Sequence, residues 1–285
     1  MSGFSAEWLA LREPYDSRAR NRDVLESVAA AAAAAGDAIG IVDLACGTGS
    51  TLRALAPRLP PRQDWRLVDN NLSLLARAAA GKTVPGVAVT RIPVDLTRDL
   101  EAALDGPVNL VTTSALLDLV SAEWLERLVT EVAARCLPFY AALNYDGRVV
   151  FDPADPLDTA VIAAVNLHQR TDKGFGPALG PHAGEAAVAA FETAGYAVVH
   201  GRSDWHLLPR DHGIEREMLA GWAGAAHEIG AVSLPDAAAW LTRRRDLLAA
   251  GRSAITVGHV DIFACPIGTR AAERSQSKST SSPIG

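Results

Sequence analysis

Ile41-Val42-Asp43-Leu44-Ala45-Cys46-Gly47-Thr48-Gly49-Ser50 reads as an apolar strand that delivers a carboxylate and then turns sharply into a helix. Gly47 and Gly49 permit that turn. Lacking a Cβ, they also let backbone N–H groups come close to a ligand, as in nucleotide-binding α/β sheets. Downstream, Asp64-Trp65-Arg66-Leu67-Val68-Asp69 is a second strand, closing on an acid. A carboxylate at that place offers two acceptor oxygens to the paired hydroxyls of a ribose.

The alternation continues in both directions. Residues 71–81 read as a helix with Gly81 as its stop, 87–96 as a strand and 96–106 as a short helix. Residues 107–117 form a strand entering a loop, 122–137 an amphipathic helix and 139–147 another strand. Upstream, a helical segment carrying Trp8, Leu9 and Leu11 precedes Pro14, and a second runs from Arg18 to Ala35. Beyond residue 151 the pattern loosens. It runs through a helix with a Gly/Pro-rich loop (152–184), a helix (184–196), one strand (197–208), helices near 214–229 and 235–250, and a last strand at 253–266. Strands and helices at these spacings predict an α/β fold with a parallel sheet covered on both faces. The boundaries are a single domain over 1–267, with helices at 1–37, and a polar, aperiodic tail at 268–285 expected to be disordered.

Composition narrows the function. The chain has 285 residues, 49% hydrophobic and 21% charged, which suits a globular protein with a full core. A formal net charge of −6 argues against a nucleic-acid partner, which needs a basic face. The longest apolar run, Ala29–Ala35, is far short of the ~20 residues that span a bilayer. MSGFSAEWLALREP lacks a basic leader and a cleavage site, and Cys46, Cys136 and Cys265 form no paired motif. A cytoplasmic protein without a membrane partner or a metal site is expected.

Four acid-ended or loop-ended strands in this order resemble the class I S-adenosylmethionine-dependent methyltransferases. The segments that carry the likeness are VDLACGTG, LVDNN, PVDL and NLVTTSALLDLV, and together they cover roughly residues 38–150. The resemblance implies a doubly wound, Rossmann-like sheet of seven strands, the last antiparallel, with helices on both faces and a helical insertion between strands six and seven. It makes 1–37 a lid, 38–150 the donor-binding half and 151–267 the acceptor half with a helical cap. It implies S-adenosylmethionine as cofactor. Asp43 would orient the methionine amino group, while Ala45, Gly47 and Gly49 would give backbone contacts to methionine and ribose. Asp69 would take the ribose hydroxyls with Asn70 beside the adenine, and Asp95 would meet the adenine amino group with Leu96 near the ring. Ser114 and Leu117 would line the methionine side. Arg20 or Arg18, on the N-terminal helix, would pair with the methionine carboxylate.

The loop Thr112–Asp118 has no N/D-P-P-Y type sequence to stack a base, which again disfavours nucleic acid and leaves a small-molecule acceptor. Asn144 and Tyr145 end the fifth strand on the ligand edge, and the polar loop after it carries His168, Arg170 and Lys173. These are the candidate substrate residues, with His168 as general base. Trp205-His206 and Asp211-His212 are candidates for a pocket wall, His259 reads as a sheet-face residue, and Arg243-Arg244-Arg245 as a solvated helix face. Cys46, Cys136 and Tyr140 lack the partners of a nucleophile. Two alternatives stay open. Asp69 also suits an NAD(P)-dependent oxidoreductase, although GTGSTL lacks a third glycine and no Tyr-x-x-x-Lys pair follows. A non-catalytic, methyltransferase-like binding protein is the other.

Overall fold

Period-two burial along the first strand shows how the sequence builds its layers. Val42 and Leu44 enter one apolar cluster, while Ile39 and Ile41 enter another on the opposite face. A strand buried on both sides belongs in the middle of a covered sheet. The computed structural model describes residues 4–78 and 85–267, and it has this strand, β1 (Ala38–Leu44), near the centre of a mixed sheet. The others are β2 (Arg62–Asp69), β3 (Val87–Pro93), β4 (Leu110–Ser114), β5 (Phe139–Asp152), β6 (Tyr196–Arg202), β7 (Trp205–Leu207) and β8 (Ala254–Pro266). Their order is β3-β2-β1-β4-β5-β8-β6, with β7 also on β8. The first five run parallel; β8 is antiparallel to β5, β6 and β7.

Helices are α1 (Ala6–Ala19), α2 (Arg22–Ala34), α3 (Ser50–Leu55), α4 (Leu72–Ala78), α5 (Leu100–Ala103), α6 (Ala122–Ala134), α7 (Asp158–Gln169), α8 (Ala183–Thr193), α9 (His212–Glu228) and α10 (Leu234–Ala249). Side-chain caps start several of them: Ser5 accepts from Trp8 N, Ser121 from Trp124 N and Ser233 from Asp236 N. Each such cap is worth about 1 kcal/mol. One sheet face packs on α6 and α8 through Leu128, Val132, Ala187 and Phe191, and the other on α2 through Val24, Leu25 and Val28. A third cluster joins α7, α9 and α10 under the far end of β5 and β8. The doubly wound fold and the helical insertion before the last strand are as the sequence implies.

Four details differ. The strand expected over 197–208 breaks at Ser203-Asp204 into β6 and β7, making eight strands. There Asp204 turns its carboxylate to Arg148 and to the His259 amide. Helix α1 runs through Pro14, and the boundary falls at Arg20-Asn21 because Asn21 caps α2 by accepting from Val24 N at 3.1 Å. The loop expected over 166–176 begins only at Arg170, since α7 continues to Gln169. Arg244, expected in solvent, is fully buried over the Phe151 ring. The Gly81 stop and the 268–285 tail lie outside the described residues. No helix among the described residues is long and apolar enough to cross a membrane.

Candidate active site

β1 and β4 leave the sheet in diverging directions, since the strand order reverses between them. A crevice opens at such a switch point beyond the carboxyl ends. The cavity there has a volume of about 1010 Å³, at the upper end of the range for ligand sites. Its floor is the turn after β1, one wall the segment after β2, and another the segment after β4, with α1 across the top.

The turn is held by Asp69. Its Oδ2 accepts from Gly47 N at 2.9 Å and its Oδ1 from Asn71 N at 2.8 Å, so one carboxylate ties two strand ends together. Gly47 (φ 54°) and Gly49 (φ 80°) take the left-handed conformation that glycine accepts without strain, and Ala45 (φ 51°) shares it. A Cβ on Gly47 would meet Leu9 Cδ1 at 3.1 Å, so lid and turn already touch. Cys46, at the turn, is a buried thiol pushed up by that burial, so it stays protonated.

Of the residues nominated by the sequence, Ala45, Gly47, Asp69, Asn70, Leu96, Ser114 and Lys173 line this cavity. The others do not. Gly49 stands one position behind the lining as the N-cap of α3. Asp43 is fully buried beneath the turn, where Oδ1 accepts from Thr112 Oγ1 at 2.8 Å and Oδ2 has no partner among the described residues. Arg20 is buried too: Nη1 donates to Tyr140 OH, and Nε and Nη2 have no partner among the described residues. Asp95 turns outward and accepts from the Thr97 amide and hydroxyl, while Leu117 points into the core between the cavity-lining Leu116 and Leu119.

The acceptor-side residues differ most. Strand β5 does not end at Asn144; it continues, bulged, along β8 to Asp152. Asn144 therefore donates to Val260 O inside the sheet, and Tyr145 OH donates to Asn166. Arg170 is exposed at the end of α7. His168 lies outside the lining, held between Lys173 and Glu228. Of the expected wall, Trp205 is buried beneath Arg12, Asp211 accepts from Tyr15 OH, and His206 and His212 are exposed. His259 is buried in the sheet, as its place in the strand suggests. Helix α2 packs on the sheet, and of the two N-terminal helices α1 is the one that lines the cavity.

The sequence reading did not single out Arg12 and Asp16, which line the cavity from α1. Arg12 donates to both Asp16 oxygens, Trp205 Nε1 donates to Asp16 Oδ1 at 3.1 Å, and the Arg12 guanidinium stacks 5.1 Å above the Trp205 ring. Their spacing of four on a helix is the sequence signal for the pair. Asp118, also missed, is buried, with Oδ1 unpartnered among the described residues and its carboxyl pushed up to about 6 by burial.

Burial likewise pushes the Asp43 carboxyl up to about 7, against the pull of Thr112 and Arg20. An acid whose folded pKa exceeds its unfolded value of about 3.9 favours the folded state only while protonated. Its contribution is lost as pH rises from about 4 to about 7. In thermal melts of the ligand-free protein at pH 5 and pH 8, Asp43→Asn should reduce the drop seen for wild type. An equal drop in both would mean that Asp43 is ionised throughout.

Residues 41–138 match the family model described as a methyltransferase domain. This part of the chain is similar to a methyltransferase domain. Among solved structures, the domain and its flanks are similar to a protein of Anaeromyxobacter dehalogenans assigned as a type II methyltransferase. The identity is 16% and the TM-score 0.51, over 87% of this chain and 97% of that one. A Geobacter sulfurreducens SAM-dependent methyltransferase, solved with S-adenosyl-L-homocysteine, aligns at 16% identity and TM-score 0.47 over 91% and 98%. The cyclopropane synthase MmaA2 of Mycobacterium tuberculosis aligns at 11% and 0.47 over 92% and 94%. No curated protein matches the sequence significantly.

Proposed function

We propose that this protein transfers a methyl group from S-adenosylmethionine to a small-molecule acceptor. The observation that carries the reading is the Asp69–Gly47 clasp at the base of a cavity on the β1/β4 switch point. The residues present fit the donor. Asp69 keeps lone pairs for ribose hydroxyls, Asn70 flanks the adenine, and Val94, Leu96 and Leu74 supply an apolar slot for the ring. The backbone of Ala45 and Gly47 serves the methionine and ribose, with Ser114 beside them. Arg12, placed in the cavity where Arg20 and Arg18 are not, suits the methionine carboxylate. The orphaned Asp43 oxygen and the Arg20 guanidinium set the field beneath the methionine end.

When bound, the donor supplies an electrophilic methyl on a sulfonium. The protein's part is to align the partners and exclude water. Helix α1 and the residue leading into it do the excluding: Phe4, then Leu9, Arg12 and Asp16 of α1, line the cavity, and Glu13 straps the helix to Arg53 of α3. The covered cavity and the net charge of −6 support a small, non-nucleic acceptor. Free thiols at Cys46, Cys136 and Cys265 support a cytoplasmic location.

Asp69 ending β2 is also what a nicotinamide dinucleotide would need, and calorimetry separates the readings. The protein should bind S-adenosylmethionine and S-adenosylhomocysteine in the micromolar range and show no heat with NAD or NADP. The reverse pattern would replace the proposal by the oxidoreductase, and donor binding without any methyl transfer would leave a binding protein.

A further inference from the structure

The chain carries 27 Lys and Arg together, yet only Lys82, Lys173 and Lys278 are lysines. Lys173, the lysine among the described residues, lines the cavity. The distinction matters because a guanidinium never gives up its proton in a protein, whereas a partly buried ammonium does.

Lys173 is placed by a local lock. Asp172 Oδ1 accepts from the amides of Gly174 and Gly176, and Phe175 bridges Val120 and packs edge-on against Trp124. The lock holds the segment beside the loop after β4, where Ser114 and Leu116 line the cavity. From there Nζ lies 2.9 Å from Thr171 Oγ1 and 3.4 Å from His168 Nδ1, and His168 Nε2 lies 3.2 Å from Glu228 Oε2. The donors fix the direction of the chain. Ammonium has no acceptor, so it donates to Nδ1; the neutral ring then carries its proton on Nε2 and donates to Glu228. A neutral Lys173 amine still satisfies Thr171 and His168 with its two protons and keeps one lone pair. Glu228 is largely exposed at the other end.

We propose that Lys173 is the general base of the methyl transfer, and that His168 and Glu228 position it and pass its proton to solvent. The proposal rests on the donor-site reading above. Methylation of an O–H or N–H acceptor breaks the S–CH3 bond, whose pair stays on sulfur. The acceptor's electron pair forms the new bond to carbon, and its proton goes to Nζ. The ammonium then yields that proton to His168 Nδ1 as the ring releases its Nε2 proton at Glu228 to water, which restores the amine; proton exchange with water returns the ring to its Nε2–H form before the next turnover. Partial burial pulls the Lys173 amine below the ordinary lysine value, and Glu228 opposes that, so the base is available nearer working pH. His168, Thr171 and Glu228 are its neighbours, with Arg12 and Asp16 on the cavity's α1 side.

Competitive labelling with trace acetic anhydride, read by mass spectrometry on the full, ligand-free chain, follows all three lysines at once. Lys173 should titrate below Lys82 and Lys278. Glu228→Gln should lower its midpoint further, because the ammonium loses its only carboxylate counter-charge along the chain. A midpoint shared with the other lysines, or one unmoved by Glu228→Gln, overturns the relay. S-adenosylhomocysteine should protect Lys173 from acetylation; labelling unprotected but still at a low midpoint faults the donor reading and leaves the relay standing. On an acceptor that wild type methylates, Lys173→Met should slow turnover by on the order of 10²–10⁴-fold. Lys173→Arg, which keeps charge and donors, should be as slow. Rescue by arginine would reduce Lys173 to an electrostatic contact.

Discussion

Asp69→Ala should raise the dissociation constant for S-adenosylmethionine roughly 10- to 150-fold, the equivalent of about 1.5–3 kcal/mol for a lost charged hydrogen-bond partner. The carboxylate is 8% exposed, and its open side faces the cavity. It does two jobs at once. Its oxygens accept from Gly47 N and Asn71 N, shaping the turn, and their remaining lone pairs are free for ribose hydroxyls. Alanine removes both. Asparagine keeps one acceptor but turns an NH2 toward the other backbone donor, so Asp69→Asn should lie closer to alanine than to wild type. Calorimetry on variants shown folded by circular dichroism reads the effect. Unchanged affinity in folded Asp69→Ala would remove Asp69 from the donor site and leave it as a turn clamp.

The turn that floors the cavity was legible because its information is local. A strand, two glycines and an acid at the next strand's end specify a turn whatever the rest of the chain does, and Ala45, Gly47 and Asp69 line the cavity accordingly. The misses come from long-range geometry. Asp16 meets Trp205 across 189 residues, and no periodicity announces that contact. Asn144 and Tyr145 look like a strand end, but a bulge lets β5 run on against β8, hiding both in the sheet. A short helical turn at Leu117–Leu119 puts Leu116 and Leu119 toward the cavity and Leu117 away from it. Arg244 looks solvated beside two other arginines, until its partner on α7 is known.

That partner, Asp158, supports the other large expectation: Asp158→Ala should cost about 3–5 kcal/mol of stability, the usual price of leaving a buried charge unpaired. The Arg244 side chain is wholly buried. Its Nε donates to Asp158 Oδ1 at 3.1 Å, Nη2 donates to Oδ2, and Nη1 donates to Pro153 O. Asp158 also accepts from Trp240 Nε1 and from the Asp155 amide. The same oxygens therefore bind α10 and the start of α7 to the end of β5. Without them the guanidinium keeps one carbonyl and the face of Phe151, and the Trp240 N–H loses its acceptor. For a chain of this size the thermal midpoint should fall by roughly 6–20 °C. Arg244→Met should cost less, since methionine fills the space over Phe151 and the Asp158 carboxylate retains two donors. Asp158→Ala/Arg244→Met should be more stable than Asp158→Ala alone, because the second change removes the stranded charge. A midpoint within 1–2 °C of wild type for Asp158→Ala would show that water reaches the guanidinium. Donor affinity of the folded variants should hold, because neither residue lines the cavity; a parallel loss would mean that the helical cap is coupled to the donor site.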